Sequence, residues 1–411
     1  MIELFYLTLI SFFFYYAFSI PKGYLFFANN ISSFSKFEKI LINIIIFLNI
    51  SLIYSLFDAK LIYLIYAMIL LLIYFFFKFK HKFNLNLKST IFILLTFVLF
   101  TGLAANPILG WDGQAVWYPK VFIFYNDLGL NDLKKSYMSE YPHLGSYVWA
   151  MFWKLFNLSN ELYGRLFFIF IFAASLFCLI ERNQETQKQY IFLLIIFYLV
   201  YDISLFRGYQ EPLIFSLINF FVLINFKYKK NFYLKLLICN ALIWIKNESL
   251  VFVIPLVYIF IKNQNYNIKE KLNFTFLVFF LIFFRISLLI FFNDKFELQG
   301  QSFVTINTLD IILSRSFEDI ITIFKHIIIV FFKYSIFLLL FLCWIINFKD
   351  NSTLKKIKID IFIFTLASVF LIYFLTSADL EWHMSTSTDR ILYSFSGFFI
   401  YYIFKKINSL I

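Results

Sequence analysis

The sequence predicts an all-α polytopic membrane protein with about 13 transmembrane helices. Three observations support this: 62% of the 411 residues are hydrophobic, only 15% are charged, and apolar runs of membrane-spanning length recur along the chain. About 20 apolar helical residues cross a hydrocarbon core about 30 Å thick, and a soluble domain would leave too much of this apolar surface exposed. The net charge of +12 does not indicate nucleic-acid binding, because membrane proteins gather lysines in cytoplasmic loops.

The predicted spans follow from the apolar runs and the lysine-rich segments between them. The first run lacks the basic start and cleavage site of a signal peptide, so it counts as a span. Placing every lysine cluster in the cytoplasm puts the N-terminus outside and the C-terminus inside. The spans are residues 3–20, 38–57, 61–77, 90–105, 162–180, 190–205, 211–226, 232–246, 249–262, 272–292, 326–347, 359–376 and 391–405.

Two segments need a separate interpretation. The apolar and aromatic residues 143–156 would form a helix only about 21 Å long, which predicts an interfacial or re-entrant helix. Residues 232–262 are interrupted by Lys246, Asn247 and Glu248. This interruption, with lysines flanking both ends, predicts a hairpin of two helices.

The predicted outer loops collect polar residues and prolines, including Pro107, Pro119, Pro142 and Pro212. Proline stiffens non-helical backbone, and ordered loops can hold side chains for a task. The loops were assigned from the lysine clusters alone, without regard to acids or prolines. The gathering of acids and prolines in the outer loops is therefore independent support for an outward-facing interfacial site. The polar residues are Asp112, Lys120, Glu140, His143, Arg207, Glu211, Lys246, Glu248 and the segment 379–390.

Asp112 stands out because it lies between Trp111 and Trp117, just after an apolar run. Ionisable residues beside lipid tend to mark chemistry or a substrate path. A structural role as a helix N-cap is the alternative. The tryptophans fit either an aromatic belt at the bilayer interface or a surface on which sugar rings stack.

Five short motifs stand in an order that resembles the GT-C superfamily of membrane glycosyltransferases, which includes the dolichyl-phosphate-mannose-dependent mannosyltransferases and their bacterial relatives. The motifs are residues 111–120, 140–144, 210–213, 246–248 and 386–390. The resemblance covers about residues 90–405. The N-terminal helices at 1–89 lie outside the resemblance. For residues 90–411 the resemblance implies a catalytic transmembrane domain, whose outer loop, 106–161, holds the interfacial helix.

The reaction that the resemblance implies is transfer of a sugar from a polyprenyl-phosphate donor to a glycan or lipid acceptor. It would take place at the outer face of the cytoplasmic (inner) membrane, among membrane lipids and without nucleic acid. Asp112 matches the catalytic base, which takes a proton from the acceptor hydroxyl, and Glu140 is the second carboxylate by its motif. The other residues expected to bind substrate are Trp111, Trp117, Lys120, Tyr141, His143, Arg207, Glu211, Lys246, Glu248, Asp389 and Arg390.

Cations among these residues suit a leaving lipid phosphate, whose negative charge grows during transfer. Arg390 is favoured because a guanidinium can hold phosphate with two parallel hydrogen bonds. Structural alternatives stay open: Glu211 could start a helix, Lys246 and Glu248 could form a polar turn, and Asp389 and Arg390 could pair with other loop charges.

The sequence departs from better-known members of the superfamily in its acids. After Asp112 no second acid follows until Asp127, and the chain ends shortly after Lys406, where many members carry a soluble domain. No metal ligands are therefore assigned, and a divalent cation stays open as a cofactor. Zinc-type Cys/His spacing and a Gly-rich phosphate loop are also missing from the sequence.

Two other functions fit a polytopic chain. An O-antigen-type polymerase or ligase also uses lipid-linked sugars but typically relies on a large late outer loop with arginines; here the late loop at about 293–325 holds Arg315. A lipid or solute transporter would place ionisable residues near the bilayer midplane. Asp202, Arg285 and Lys333 lie near or inside predicted spans, whereas most of the polar residues lie at one surface.

Overall fold

The structure is a computed structural model that describes residues 2–19, 34–79, 86–180, 187–200, 205–228, 231–296, 313–333, 353–376 and 379–410. Every regular element in these ranges is a helix, and the ranges contain no β-strand. The α-helices are α1 (Ile2–Ser19), α2 (Lys36–Leu56), α3 (Leu61–Phe79), α4 (Leu87–Ala105), α5 (Tyr118–Tyr125), α6 (Leu144–Phe156), α7 (Leu162–Phe177), α8 (Gln187–Val200), α9 (Glu211–Lys227), α10 (Phe232–Ile243), α11 (Ser249–Lys262), α12 (Ile268–Phe296), α13 (Phe317–Lys333), α14 (Thr353–Phe374) and α15 (Leu380–Leu410).

The described helices are those of a membrane protein. Three stretches are long and apolar enough to cross a bilayer, namely Lys36–Leu56, Leu87–Ala105 and Ile268–Leu288. Shorter apolar helices coincide with several other predicted spans, whereas the spans 190–205 and 326–347 run partly outside the described residues. Large apolar side chains are exposed on several helices, as expected for lipid contact; on α3 they include Tyr63, Tyr66, Leu70, Ile73 and Phe77.

The described helices form two compact units. Unit 1 comprises Met1–Tyr137, His143–Thr186 and Asp202–Ser216, and unit 2 comprises Met138–Pro142, Gln187–Tyr201 and Leu217–Ile411. The resemblance placed a domain boundary after residue 89, and the residues on both sides of that position lie in unit 1. Helices α1 to α3 belong to the same unit as the segment that carries Asp112, because they pack on α4, α6 and α7.

Unit 1 is built around α6 and α7. Stacked and edge-on phenylalanine rings join α1 to them, with 5.0 Å between the ring centroids of Phe14 and Phe152 and 4.5 Å between those of Phe152 and Phe167. Helix α6 has 13 residues, which gives a length of about 20 Å. All residues from Leu144 to Trp153 are buried. Helix α6 therefore belongs to the core of unit 1.

Unit 2 contains the predicted helix hairpin. Helices α10 and α11 are separate, they pack against each other, and the chain turns between them at residues 244–248. Helix α12 packs on both of them, and the rings of Phe260 and Phe274 stack at 3.8 Å between centroids. Helices α13, α14 and α15 pack on one another, and α14 also packs on α11.

Residues 380–390, which were predicted to belong to a loop, are helical, because α15 runs without a break from Leu380 to Leu410 and contains the predicted span 391–405. Asp379 accepts a hydrogen bond from the Trp382 amide at 2.8 Å and so caps the helix. Serine and threonine disfavour helices when their hydroxyls bond to nearby backbone in other conformations. Here the hydroxyls donate to carbonyls one turn earlier within the helix: Thr386 to Trp382, Ser387 to His383 and Thr388 to Met384.

Candidate functional site

Asp112 is the second residue of the helical segment that begins at Trp111 and ends in α5. Helix α4 ends at Ala105, residues 106–110 are irregular, and a π-helical turn over Gly113–Trp117 leads directly into α5. Asp112 has helical backbone angles and is partly exposed, and its carboxylate makes no capping hydrogen bond to this helix. The interpretation of Asp112 as a structural N-cap was therefore wrong. Single π-helical turns occur frequently at functional sites.

Two segments of unit 1 lie directly against each other. One is the Asp112 segment, residues 106–117, and the other is the Arg207 segment, residues 205–210. The Gly110 amide donates a hydrogen bond to the Arg207 carbonyl oxygen at 2.9 Å. A Cβ atom added at Gly113 would lie 2.5 Å from the same oxygen, so only glycine allows this close approach. The Arg207 side chain itself is exposed. The structure thus brings together two segments that the sequence placed in separate outer loops.

Arg165 joins these two segments, and the sequence interpretation missed it. Its guanidinium is 1% exposed and donates to the carbonyl oxygens of Phe206 at 2.5 Å and Pro107 at 2.6 Å. It also donates to the Glu161 carboxylate at 2.7 Å. Burial raises the pKa of the Glu161 carboxyl, and the neighbouring Arg165 opposes that rise. The only sequence signal was an arginine inside an apolar run, in the first turns of α7.

Glu211 and Gln210 stand at the start of α9, and both side chains are buried. Gln210 packs so tightly against α6 that a Cβ atom added at Gly145 would lie 1.7 Å from its Oε1. Neither polar atom of the Gln210 carboxamide has a hydrogen-bond partner among the described residues. Buried polar groups without partners are uncommon in folded proteins. The carboxamide could donate to or accept from a substrate hydroxyl.

The structure places the other predicted residues of unit 1 in different environments. Trp111 is 51% exposed and meets the Tyr137 ring edge-on. Trp117 and Lys120 are buried, with the Lys120 ammonium 5.7 Å from the Trp117 ring centroid. His143 is buried too, and its Nε2 atom lies 2.8 Å from the Ser55 Oγ of α2.

In unit 2 the turn between α10 and α11 holds a buried ion pair. The Lys246 ammonium lies 3.1 Å from the Glu248 carboxylate. Arg285 of α12 is fully buried beside this turn, where it donates to the Ile243 carbonyl oxygen at 2.6 Å and to the Asn247 side-chain oxygen. In the sequence analysis, Arg285 lies near or inside a predicted span, where a transporter would place an ionisable residue. Its described contacts are to the turn, which it stabilises.

The remaining predicted residues also belong to unit 2. Glu140 is 3% exposed in a turn, and Tyr141 is close enough to Arg285 for an electrostatic interaction. Asp389 is exposed in the first turns of α15. Arg390 is partly exposed and donates from Nε to the Thr386 carbonyl oxygen at 3.2 Å.

The sequence assigned no metal ligands but left a divalent cation open. Among the residues that the structure describes, no group of three or more histidine, cysteine, aspartate or glutamate side chains is placed to hold a metal ion. Comparison of the chain with protein-family models, with curated proteins and with solved structures finds no match.

Proposed function

We propose that the protein is a membrane glycosyltransferase of the GT-C type. It transfers a sugar from a polyprenyl-phosphate donor to a glycan or lipid acceptor at the outer face of the cytoplasmic membrane, with its N-terminus outside and its C-terminus inside. The order of the five sequence motifs supports this assignment. The apolar helices agree with a donor whose polyprenyl chain stays in the lipid.

The observation that carries the proposal is the setting of Asp112. Its carboxylate is partly exposed at a π-helical turn and does not cap the helix. A general base needs this kind of accessible carboxylate, because it must reach the hydroxyl whose proton it removes. In this reaction the acceptor oxygen attacks the anomeric carbon, the bond from that carbon to the donor phosphate breaks, and Asp112 takes the acceptor proton.

The leaving lipid phosphate needs cations or hydrogen-bond donors. Arg207 suits this role within the Asp112 unit, because its side chain is exposed on the segment that Gly110 contacts. Lys120 is less suitable, since it is buried. Lys246 is less suitable for the same reason, since its side chain is only 4% exposed in its ion pair with Glu248.

Transfer assays in membranes test the proposal. Radiolabelled polyprenyl-phosphate sugars are supplied to the wild type, to Asp112→Asn and to the control Asp132→Asn. Asp132 is also an acid of the segment 106–161, and its carboxylate pairs with Lys135 at 2.6 Å. We expect Asp112→Asn to lower transfer about 10²–10⁴-fold, the range for loss of a general base, with folding intact and with normal transfer by Asp132→Asn.

Two results would contradict the proposal. Normal transfer by folded Asp112→Asn would remove Asp112 as the base. No transfer by the folded wild type across the full range of donor sugars and acceptors would remove the reaction itself.

A further inference from the structure

Arg165 carries a charge into the interior of unit 1, where two of its guanidinium nitrogens donate to three acceptors. Two are backbone carbonyl oxygens, of Pro107 and Phe206, and the third is the Glu161 carboxylate, all at 2.5 to 2.7 Å from guanidinium nitrogens. The guanidinium carbon also lies 5.8 Å from the centroid of the Trp149 ring. A planar guanidinium can serve several acceptors in fixed directions, whereas a lysine ammonium is a compact point charge.

The two carbonyl oxygens belong to different segments of the predicted site. Pro107 lies in the irregular stretch that leads to Asp112, and Phe206 directly precedes Arg207. The same two segments are joined by the hydrogen bond from the Gly110 amide to the Arg207 carbonyl oxygen. Arg165 therefore fixes both segments to the start of α7, at residues just before the point where they touch.

We infer that Arg165 is a positioning residue: it holds the Asp112 segment against the Arg207 segment and thereby sets the direction of the Asp112 carboxylate. This inference rests on the proposed function. Its energetic basis is that a buried charge is costly unless it is paired and hydrogen-bonded, so the guanidinium keeps its three acceptors close to it. A displacement of about 1 Å at a reacting group can lower a rate about 10²-fold.

The inference is tested with Arg165→Lys and the control Lys88→Gln. Lys88 is also a buried cation of unit 1, and it donates to a backbone carbonyl oxygen, that of Ile180, at 3.0 Å. It lies in the first turn of α4, whereas Pro107 lies beyond the last. Both variants therefore change a buried cation of the same unit, but only Arg165→Lys alters the contacts of the Asp112 segment.

Two measurements are made on each variant. Hydrogen–deuterium exchange with single-residue resolution reports the Gly110 amide, and transfer kinetics give kcat and KM for the donor. We expect Arg165→Lys to speed exchange at Gly110 and to lower kcat at least tenfold with little change in KM. Lys88→Gln should leave both the exchange at Gly110 and kcat unchanged. Transfer rates are divided by the amount of folded protein in each sample, because a smaller folded fraction would also lower the apparent kcat without changing KM.

Each result has one meaning. Exchange at Gly110 that is as slow in Arg165→Lys as in the wild type overturns the inference. Faster exchange with unchanged kcat overturns it as well, because loosening the contact between the two segments would then have no effect on the base. Absence of transfer in the wild type contradicts the proposed function, while the exchange rates still decide whether Arg165 holds the two segments together.

If Arg165→Lys does not fold, Glu161→Gln provides the test. This variant keeps Arg165 and both carbonyl acceptors but removes the charge that orients the guanidinium. Faster exchange at Gly110 together with a lower kcat is expected. Wild-type values of both would overturn the inference.

Discussion

Lys246 and Glu248 form an ion pair at 3.1 Å, and both side chains are only 4% exposed. Residues two positions apart do not face each other on a regular helix, so the pair depends on the turn between α10 and α11. Taking two charges out of water costs free energy, which their attraction offsets only when the geometry is good. The two side chains should therefore be strongly coupled in stability.

Lys246→Met should lower the free energy of unfolding by about 3–5 kcal/mol, because it leaves the Glu248 carboxylate buried without its cation. Lys246→Met combined with Glu248→Leu should cost less than the single change. Chemical unfolding in detergent measures both. As a control, Lys135→Met removes an exposed pair with Asp132, whose side chains are 63% and 26% exposed, and should cost about 1 kcal/mol or less. Simple additivity of the Lys246 and Glu248 changes would contradict the coupling.

Gly110→Ala should disturb the contact between the Asp112 and Arg207 segments. The added Cβ atom would lie 2.1 Å from the Tyr209 hydroxyl oxygen, so the Tyr209 ring or the backbone at Gly110 must shift, at a cost of about 1–3 kcal/mol. Gly102→Ala is the control, because its Cβ would lie 3.2 Å from the nearest ring carbon of Phe206. We expect Gly110→Ala to lower the thermal unfolding temperature and the transfer rate more than Gly102→Ala does. Equal effects of the two variants would argue against the close contact.

Ser55→Ala tests whether His143 binds substrate, as the sequence predicted, or stabilises unit 1. His143 Nε2 lies 2.8 Å from Ser55 Oγ in a buried contact. Removing the hydroxyl should cost about 1–3 kcal/mol of stability and leave the donor KM unchanged. Thermal unfolding and donor titrations measure the two effects. A higher donor KM without loss of stability would restore the substrate-binding role.

Glu161 should make stability depend on pH. Because burial raises its pKa in the folded state, the folded protein binds this proton more tightly than the unfolded chain does. The stability from Glu161 is therefore present below the unfolded pKa and is lost as the pH rises through the folded value. Relative to Glu161→Gln, the wild type should gain thermal stability as the pH is lowered from about 7 to about 4.

Asp132→Asn provides the opposite sign as a control. The hydrogen bond from Lys135 lowers the pKa of Asp132, so the stability from Asp132 is lost as the pH falls. The effect should be small, because this pair is exposed. If wild type and Glu161→Gln diverge in the reverse direction, then attraction by Arg165 outweighs burial at Glu161.

The sequence allowed the helical, membrane-bound character of the chain to be predicted, because apolar runs and lysine clusters are read directly from residue types. It also allowed the break between α10 and α11 to be placed, since Lys246, Asn247 and Glu248 interrupt an apolar stretch. The helical start of α15 could not be predicted, because serine and threonine have low helix propensity and the sequence does not show that their hydroxyls donate to carbonyls one turn earlier within the helix. Propensity alone does not show that choice.

The candidate site was predictable in its motifs but not in the contacts that hold them. Asp112 and Arg207 were singled out because polar residues beside lipid are unusual. Arg165 was missed because its acceptors at Pro107 and Phe206 are backbone carbonyls, which any residue type supplies. A sequence therefore gives no sign of which carbonyls a buried arginine will reach.

The π-helical turn over Gly113–Trp117 has a consequence for insertions and deletions. A π-helical hydrogen bond spans one residue more than an α-helical one, so the turn holds an extra residue while the helical residues on either side keep their register. Deleting a single residue within this turn would restore α-helical spacing and leave Asp112 facing nearly the same direction relative to α5. The same deletion inside α5 would rotate Asp112 by about 100° relative to the rest of that helix, so the segment tolerates a shorter chain at the turn but not in the helix that follows it.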